Sequence, residues 1–137
     1  MVIADHYDFS WWLIKYGSVS INGRLYQKDS LQNTDGLLLP LLWNHQHNDL
    51  PSVLGYALLA NREDGIFAYC TLYDVPQKEI VINLINDEGS VSLSPYINQI
   101  EYDTKNITHG IIKEVSLVLK RFDPDPSYYP VMNREKN

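Results

Sequence analysis

The segment Ile66–Tyr73 most narrows what this chain can fold into. Ile66, Ala68, Cys70 and Leu72 share one parity, and Phe67, Tyr69, Thr71 and Tyr73 share the other. Side chains alternate between the two faces of a strand, so both faces of this segment are largely apolar. Such a strand belongs inside a sheet, with cover on each side. A second strand-like run occupies residues 53–60, and Asn61-Arg62-Glu63-Asp64-Gly65 joins the two. A short polar link ending in glycine predicts a β-hairpin. Cys70 falls on the aliphatic face, where a thiol behaves as a small inert core group.

Other segments extend the β pattern. Residues 9–16 read as a first strand ending at Gly17, and residues 18–26 as a hairpin arm turned by Asn22-Gly23. Residues 27–36 are polar loop. Residues 37–43, Leu-Leu-Leu-Pro-Leu-Leu-Trp, are too short for a buried helix and contain a helix breaker. They predict a buried or edge strand with a bulge at Pro40. Pro76 opens a helix over 77–88, whose apolar face is Ile80, Val81, Leu84 and Ile85, and Gly89 ends it. Residues 90–100 continue as strand, 101–106 as turn and 107–119 as the last long strand. Asp123-Pro124-Asp125-Pro126 stops regular structure. About seven strands and one helix predict a mainly β, α+β domain, mostly antiparallel, and closing it into a barrel would remove its free edges.

Composition limits the function classes. The chain of 137 residues suits one domain, over 1–122, followed by a Pro-rich mobile tail over 123–137. A net charge of -6 with scattered Lys and Arg argues against nucleic acid as a partner. No apolar run approaches the ~20 residues that span a bilayer, so no membrane partner is expected. The acidic start carries no secretory signal pattern. One cysteine excludes an internal disulfide and fits a reducing compartment.

The chemistry centres on Gly89-Ser-Val-Ser-Leu-Ser-Pro-Tyr96. Ser90, Ser92 and Ser94 share a strand face, which is also how an ordinary wet face looks, and alternation does not choose among them. A nucleophilic hydroxyl needs a base and a group that orients the base. Of four histidines, His6 lies near the N-terminus, His45 and His47 follow the 37–43 strand, and His109 begins the last strand. In that last strand Glu114 shares parity with Ile112, Ser116 and Val118, among apolar neighbours where a carboxylate needs a partner. Continuous alternation puts His109 on the opposite face, which favours His45 or His47 as Glu114's partner. His45, His47 and Asp49 also form a weak zinc-like pattern, without an HExxH motif.

Taken together and in order, several segments resemble the prohead (head maturation) serine proteases of tailed phages. They are residues 9–16, Leu-Leu-Trp-Asn-His-Gln-His-Asn-Asp at 41–49, Val-Leu-Gly-Tyr-Ala at 53–57 and Asn-Arg-Glu-Asp-Gly-Ile-Phe-Ala-Tyr at 61–69. Ser-Leu-Ser-Pro-Tyr-Ile-Asn-Gln-Ile at 92–100 and Thr-His-Gly-Ile-Ile-Lys-Glu-Val-Ser-Leu-Val-Leu at 108–119 complete the set. The resemblance spans roughly residues 9–120. It implies a closed antiparallel β-barrel of the herpesvirus assemblin-like type, flanked by helices. It implies a Ser-His-Glu triad of Ser94, His45 and Glu114, with Ser92, His47 and His109 as alternatives, and neither cofactor nor metal.

The activity implied is a serine endopeptidase that cleaves phage capsid and scaffold proteins, and itself, during prohead maturation. The implied partners are the major capsid protein, the scaffold and further copies of this chain. The implied location is the bacterial host cytoplasm, inside the assembling procapsid. The alternatives are a catalytically degenerate assembly factor of the same fold, or a small metal-dependent hydrolase using His45 and His47. Two departures from the family pattern stand out. Pro95 follows the serine, and Lys-Arg-Phe-Asp-Pro-Asp-Pro follows the last strand. Pro95 has no N–H, so the residue after Ser94 cannot donate to an oxyanion.

Overall fold

The computed structural model describes residues 4–17, 24–31, 33–43, 53–87, 91–103 and 106–119. Strands β1 (Phe9–Lys15), β2 (Leu25–Tyr26), β3 (Leu38–Trp43), β4 (Val53–Arg62) and β5 (Gly65–Leu72) precede helix α1 (Gln77–Asn86). Strands β6 (Val91–Asp103) and β7 (Asn106–Leu119) follow it. The described residues are thus mainly β, with one short helix among them. The Asn22-Gly23 turn, Gly89 and the 123–137 tail lie outside the described residues.

The seven strands form one sheet in the order β1-β5-β4-β3-β7, with β6 on the other edge of β7 and β2 beside β7's start. The sheet is mixed rather than wholly antiparallel, because β3 and β2 both run parallel to β7. Leu25 and Tyr26 therefore pair with Asn106 and Ile107, not as a hairpin arm with β1. The edge strands β1 and β6 pack against each other, with no ladder between them among the described residues. The sheet is curled into a half-barrel.

As its two apolar faces require, β5 is central, paired with β1 and β4. Its aliphatic face, Ile66, Ala68, Cys70 and Leu72, joins the main core with Leu41, Leu59, Val115 and Leu117. Its aromatic face, Phe67 and Tyr69, packs with Ala60, Trp12 and Tyr7 in a second cluster. Arg62 closes that cluster. Its guanidinium lies 3.9 Å from the Phe67 ring centroid, and Nη2 donates to the Tyr69 hydroxyl at 2.6 Å. The β4–β5 turn is tighter than the sequence suggests, since pairing continues to Arg62 opposite Gly65.

The remaining differences are local. Strand β3 is interior, and its register shift falls between Leu41 and Leu42 rather than at Pro40. Pro40 is tolerated because β3 begins to pair with β7 only at Leu41, so no β7 ladder bond is asked of it. Helix α1 buries Val81 and Ile85, whereas Ile80 is 58% exposed. A ten-residue helix offers little more than one buried stripe, so Ile80 falls off it. Asp8 anchors this region: its Oδ2 accepts from the Leu72 amide at 2.7 Å, and its Oδ1 lies 3.9 Å from Lys78 Nζ.

Strands β4 and β5 approach closely at Gly55, where a Cβ would stand 1.9 Å from the Thr71 carbonyl oxygen. Both neighbours are backbone, so relief requires moving a strand. Gly55→Ala is expected to cost about 2–3 kcal/mol. Leu38→Ala, at a 58% exposed site, is expected to change stability by less than about 0.5 kcal/mol. Urea midpoints at unchanged slope check both. A Gly55→Ala protein as stable as wild type is incompatible with this strand approach.

Candidate active site

The long β6–β7 hairpin positions the serine stretch. Ser92 lies opposite Val118, Ser94 opposite Ser116 and Tyr96 opposite Glu114. Directly opposed residues share a face, so Ser94, Ser116, Tyr96 and Glu114 stand together on the side away from the main core. Glu114 is the diagonal neighbour of Ser94, a Cα separation of about 7–8 Å. On the far side of β7, Leu42 pairs with Ser116 and Trp43 with Leu117. Strand β3 therefore ends within one residue of the Ser94 row.

The serines are not equivalent. Ser92 is 1% exposed, and its hydroxyl donates to the Leu93 carbonyl at 3.4 Å. Val91 and Leu93 are buried as well, so this part of β6 has no wet face. Ser94 is half-buried and accessible. Ser116 is fully buried opposite it. Ser90 lies outside the described residues.

Glu114 is half-buried, with Oε1 shielded from solvent. Its neighbours differ from those that simple alternation gives. A register shift falls between Tyr96/Glu114 and Ile97/Ile112, so β7 carries an extra residue at Lys113. Such a bulge resets parity. Ile112 joins Val115 and Leu117 in the core, while Glu114 faces the other way with Ser94. Two further shifts separate Asn98 from Tyr102, and Gln99 there adopts φ 54°. The Lys113 bulge lies on β7 between His109 and Glu114, so their expected opposition by parity no longer follows.

Distance separates His109 from the serines in any case. It pairs with Glu101, seven residues along β7 from Ser116, or about 20 Å. The structure does not bring it to Ser94. His45 and His47, and with them Asp49 and the zinc-like pattern, lie outside the described residues. Among the described residues no group of His, Cys, Asp or Glu is arranged to hold a metal ion. No helix among them is long and apolar enough to cross a membrane.

Two features of this site were not read from the sequence. Tyr96 stands beside Glu114, and Ser116 beside Ser94. Both follow from the β6–β7 register, which needs the turn to lie between Asp103 and Asn106, shorter than the 101–106 turn expected. Comparison with protein-family models, with curated proteins and with solved structures finds no match for the chain.

The one thiol is far from this chemistry. Cys70 is fully buried on β5, and burial, aided by nearby Asp8, pushes its thiol well above the usual range. The unfolded chain therefore ionises this group first, near pH 8.5. The stabilising contribution is complete below that pH and is lost as pH rises. Between pH 7.5 and 9.5 wild type is expected to lose about 1.4 kcal/mol from this group. Tyr16 and Tyr26 are also raised by burial, from an ordinary 10.0, and act later. Urea midpoints across the interval check this, with Cys70→Ala showing a flatter profile.

Proposed function

We propose that this chain is a serine endopeptidase of the prohead protease type, acting on phage capsid and scaffold proteins and on itself within the assembling procapsid. The observation that carries this reading is the meeting of three segments at one place. The accessible Ser94 and the half-buried Glu114 share a ladder and a face, and β3 ends beside them. The histidine segment continues directly from that strand end, in the order the family resemblance requires. The half-barrel curl supports, at a finer level, an assemblin-like barrel with β1 and β6 as its seam.

In the proposed reaction His45 accepts the proton of the Ser94 hydroxyl as Oγ bonds to the substrate carbonyl carbon. Glu114 orients the imidazole and offsets its positive charge. His45 then gives the proton to the leaving nitrogen as the C–N bond breaks. Water, deprotonated by the same imidazole, releases the acyl group and restores Ser94. Accessibility favours Ser94 over Ser92, since a hydroxyl 1% exposed cannot meet a peptide carbonyl without strand movement. Pro95 leaves the oxyanion without a donor from the following residue, so its donors come from another segment.

A fluorophosphonate probe tests the nucleophile. Labelling is expected for wild type and Ser92→Ala and absent for Ser94→Ala. His45→Ala is expected to lower cleavage of capsid or scaffold protein at least about a thousandfold without unfolding the domain. Loss with His47→Ala alone moves the base by two residues. Absence of labelling in a folded protein favours an inactive assembly factor. Stoichiometric zinc in the purified protein overturns the serine mechanism.

A further inference from the structure

The described residues include five large, exposed apolar side chains: Leu38, Tyr73, Ile80, Tyr96 and Tyr102. Three of them lie on the sheet face that carries Ser94, with Leu38 58%, Tyr73 47% and Tyr96 42% exposed. Strand register connects them. Tyr96 is opposite Glu114 across β6–β7, and Tyr56 is opposite Pro40 across β3–β4. Pro40 and Glu114 each stand one residue before the first β3–β7 pair, Leu41 with Val115, and so are level. The row Tyr96–Glu114–Pro40–Tyr56 thus crosses four adjacent strands. Leu38 is the next residue on that face of β3, and the Tyr73 ring lies 6.0 Å from that of Tyr56.

The dimensions decide what such a strip can hold. From β6 to β5 it spans four strand spacings, about 19 Å, and three side-chain rows, those of Leu38, Tyr56 and Tyr73, make it about 20 Å wide. An area of about 400 Å² is about half the ~800 Å² per partner of a stable protein interface. Its length matches about six extended residues at ~3.3 Å each. A single peptide strand fits, and a second folded copy of this chain does not.

We propose that this row is an open binding strip for an extended peptide lying across the strands, with a bulky aliphatic or aromatic side chain seated on Tyr56 and Leu38. The proposal rests on Ser94 as the nucleophile, which stands at one end of the row, two residues from Tyr96. In a flat sheet Tyr56 is about 16 Å from Ser94, the reach of about five extended residues. The bulky side chain is therefore read several residues from the bond cleaved, and the substrate class is unfolded or extended segments carrying such a residue.

The test uses the full chain bearing Ser94→Ala and fluorescein-labelled octapeptides of Gly and Ser, with or without a central Leu-Phe pair. Fluorescence anisotropy is expected to show at least tenfold tighter binding of the Leu-Phe peptide. Tyr56→Ala and Leu38→Ser are each expected to remove at least fivefold. Leu38 is exposed, so Leu38→Ser tests the strip even if Tyr56→Ala perturbs folding. Ile80→Ser, equally exposed but on α1, is expected to have no effect. Absence of preference, or a loss shared with Ile80→Ser, overturns the proposal. So does a wild-type dimer in sedimentation that Leu38→Ser dissociates, which assigns the face to a second copy. Fluorophosphonate labelling of the Ser94 protein without peptide preference rejects the strip and leaves the nucleophile. Preference without labelling supports the strip and rejects the nucleophile.

Discussion

The structure depends on one shared strand. Strand β7 pairs antiparallel with β6 along one edge, and its other edge takes β2, then Leu31 at Gly110, then β3. Buried backbone N–H and C=O groups need partners, and a strand in the middle of a core obtains them only from neighbouring strands. Ile107, Ile112, Val115 and Leu117 of β7 are all buried, so these pairings hold under apolar cover. Gly110 shows how tight the fit is. A Cβ there would stand 2.7 Å from Ile97 Cγ2 and 2.9 Å from Leu31 Cδ2. Anything that shifts β7 shifts the core, the serine ladder and the end of β3 together.

That shared strand also explains how much of the fold was legible. Strand β5 could be read nearly residue by residue, because its two apolar faces require a central place and its partner is next in sequence. Helix α1 began where Pro76 announced it. The parallel pairing of β3 with β7 had no local signal. More than sixty residues separate Leu42 from Ser116, and closure over such a distance is decided by the whole core rather than by any turn. The sheet was therefore expected to be mostly antiparallel, as neighbours joined by short links usually are, and it is, apart from the parallel pairings of β2 and β3 with β7.

The site was legible in its residue types and not in its geometry. Alternation placed Ser92 and Ser94 on one face, and pairing keeps them there. It also placed Glu114 with Ile112, which the bulge at Lys113 undoes. Bulges answer to sheet twist and to the packing of both faces. Nothing in Ile111-Ile112-Lys113-Glu114 marks one, and Gln99, in a left-handed conformation usually given to glycine or asparagine, marks the next no better. A single unrecognised bulge exchanges the faces of everything beyond it, and the one at Lys113 is enough to undo parity reasoning carried from Glu114 to His109.

Pro95 ties the architecture to the chemistry. A proline inside a sheet needs one side of its strand free of ladder bonds at that residue, as at Pro40 in β3, and β6 pairs only with β7 among the described residues. It also restricts Ser94 to an extended conformation, which keeps that side chain on the same face as Tyr96 and Glu114. Strands β6 and β1 pack together without a ladder among the described residues. Pro95 thus belongs to an edge strand and fixes the serine beside it. On the proposed reading the cost is an oxyanion donor at the position after the nucleophile, so a donor from a different segment must be brought to Ser94. The half-barrel leaves that approach on the face opposite the main core, where Ser94 and the exposed apolar row both lie.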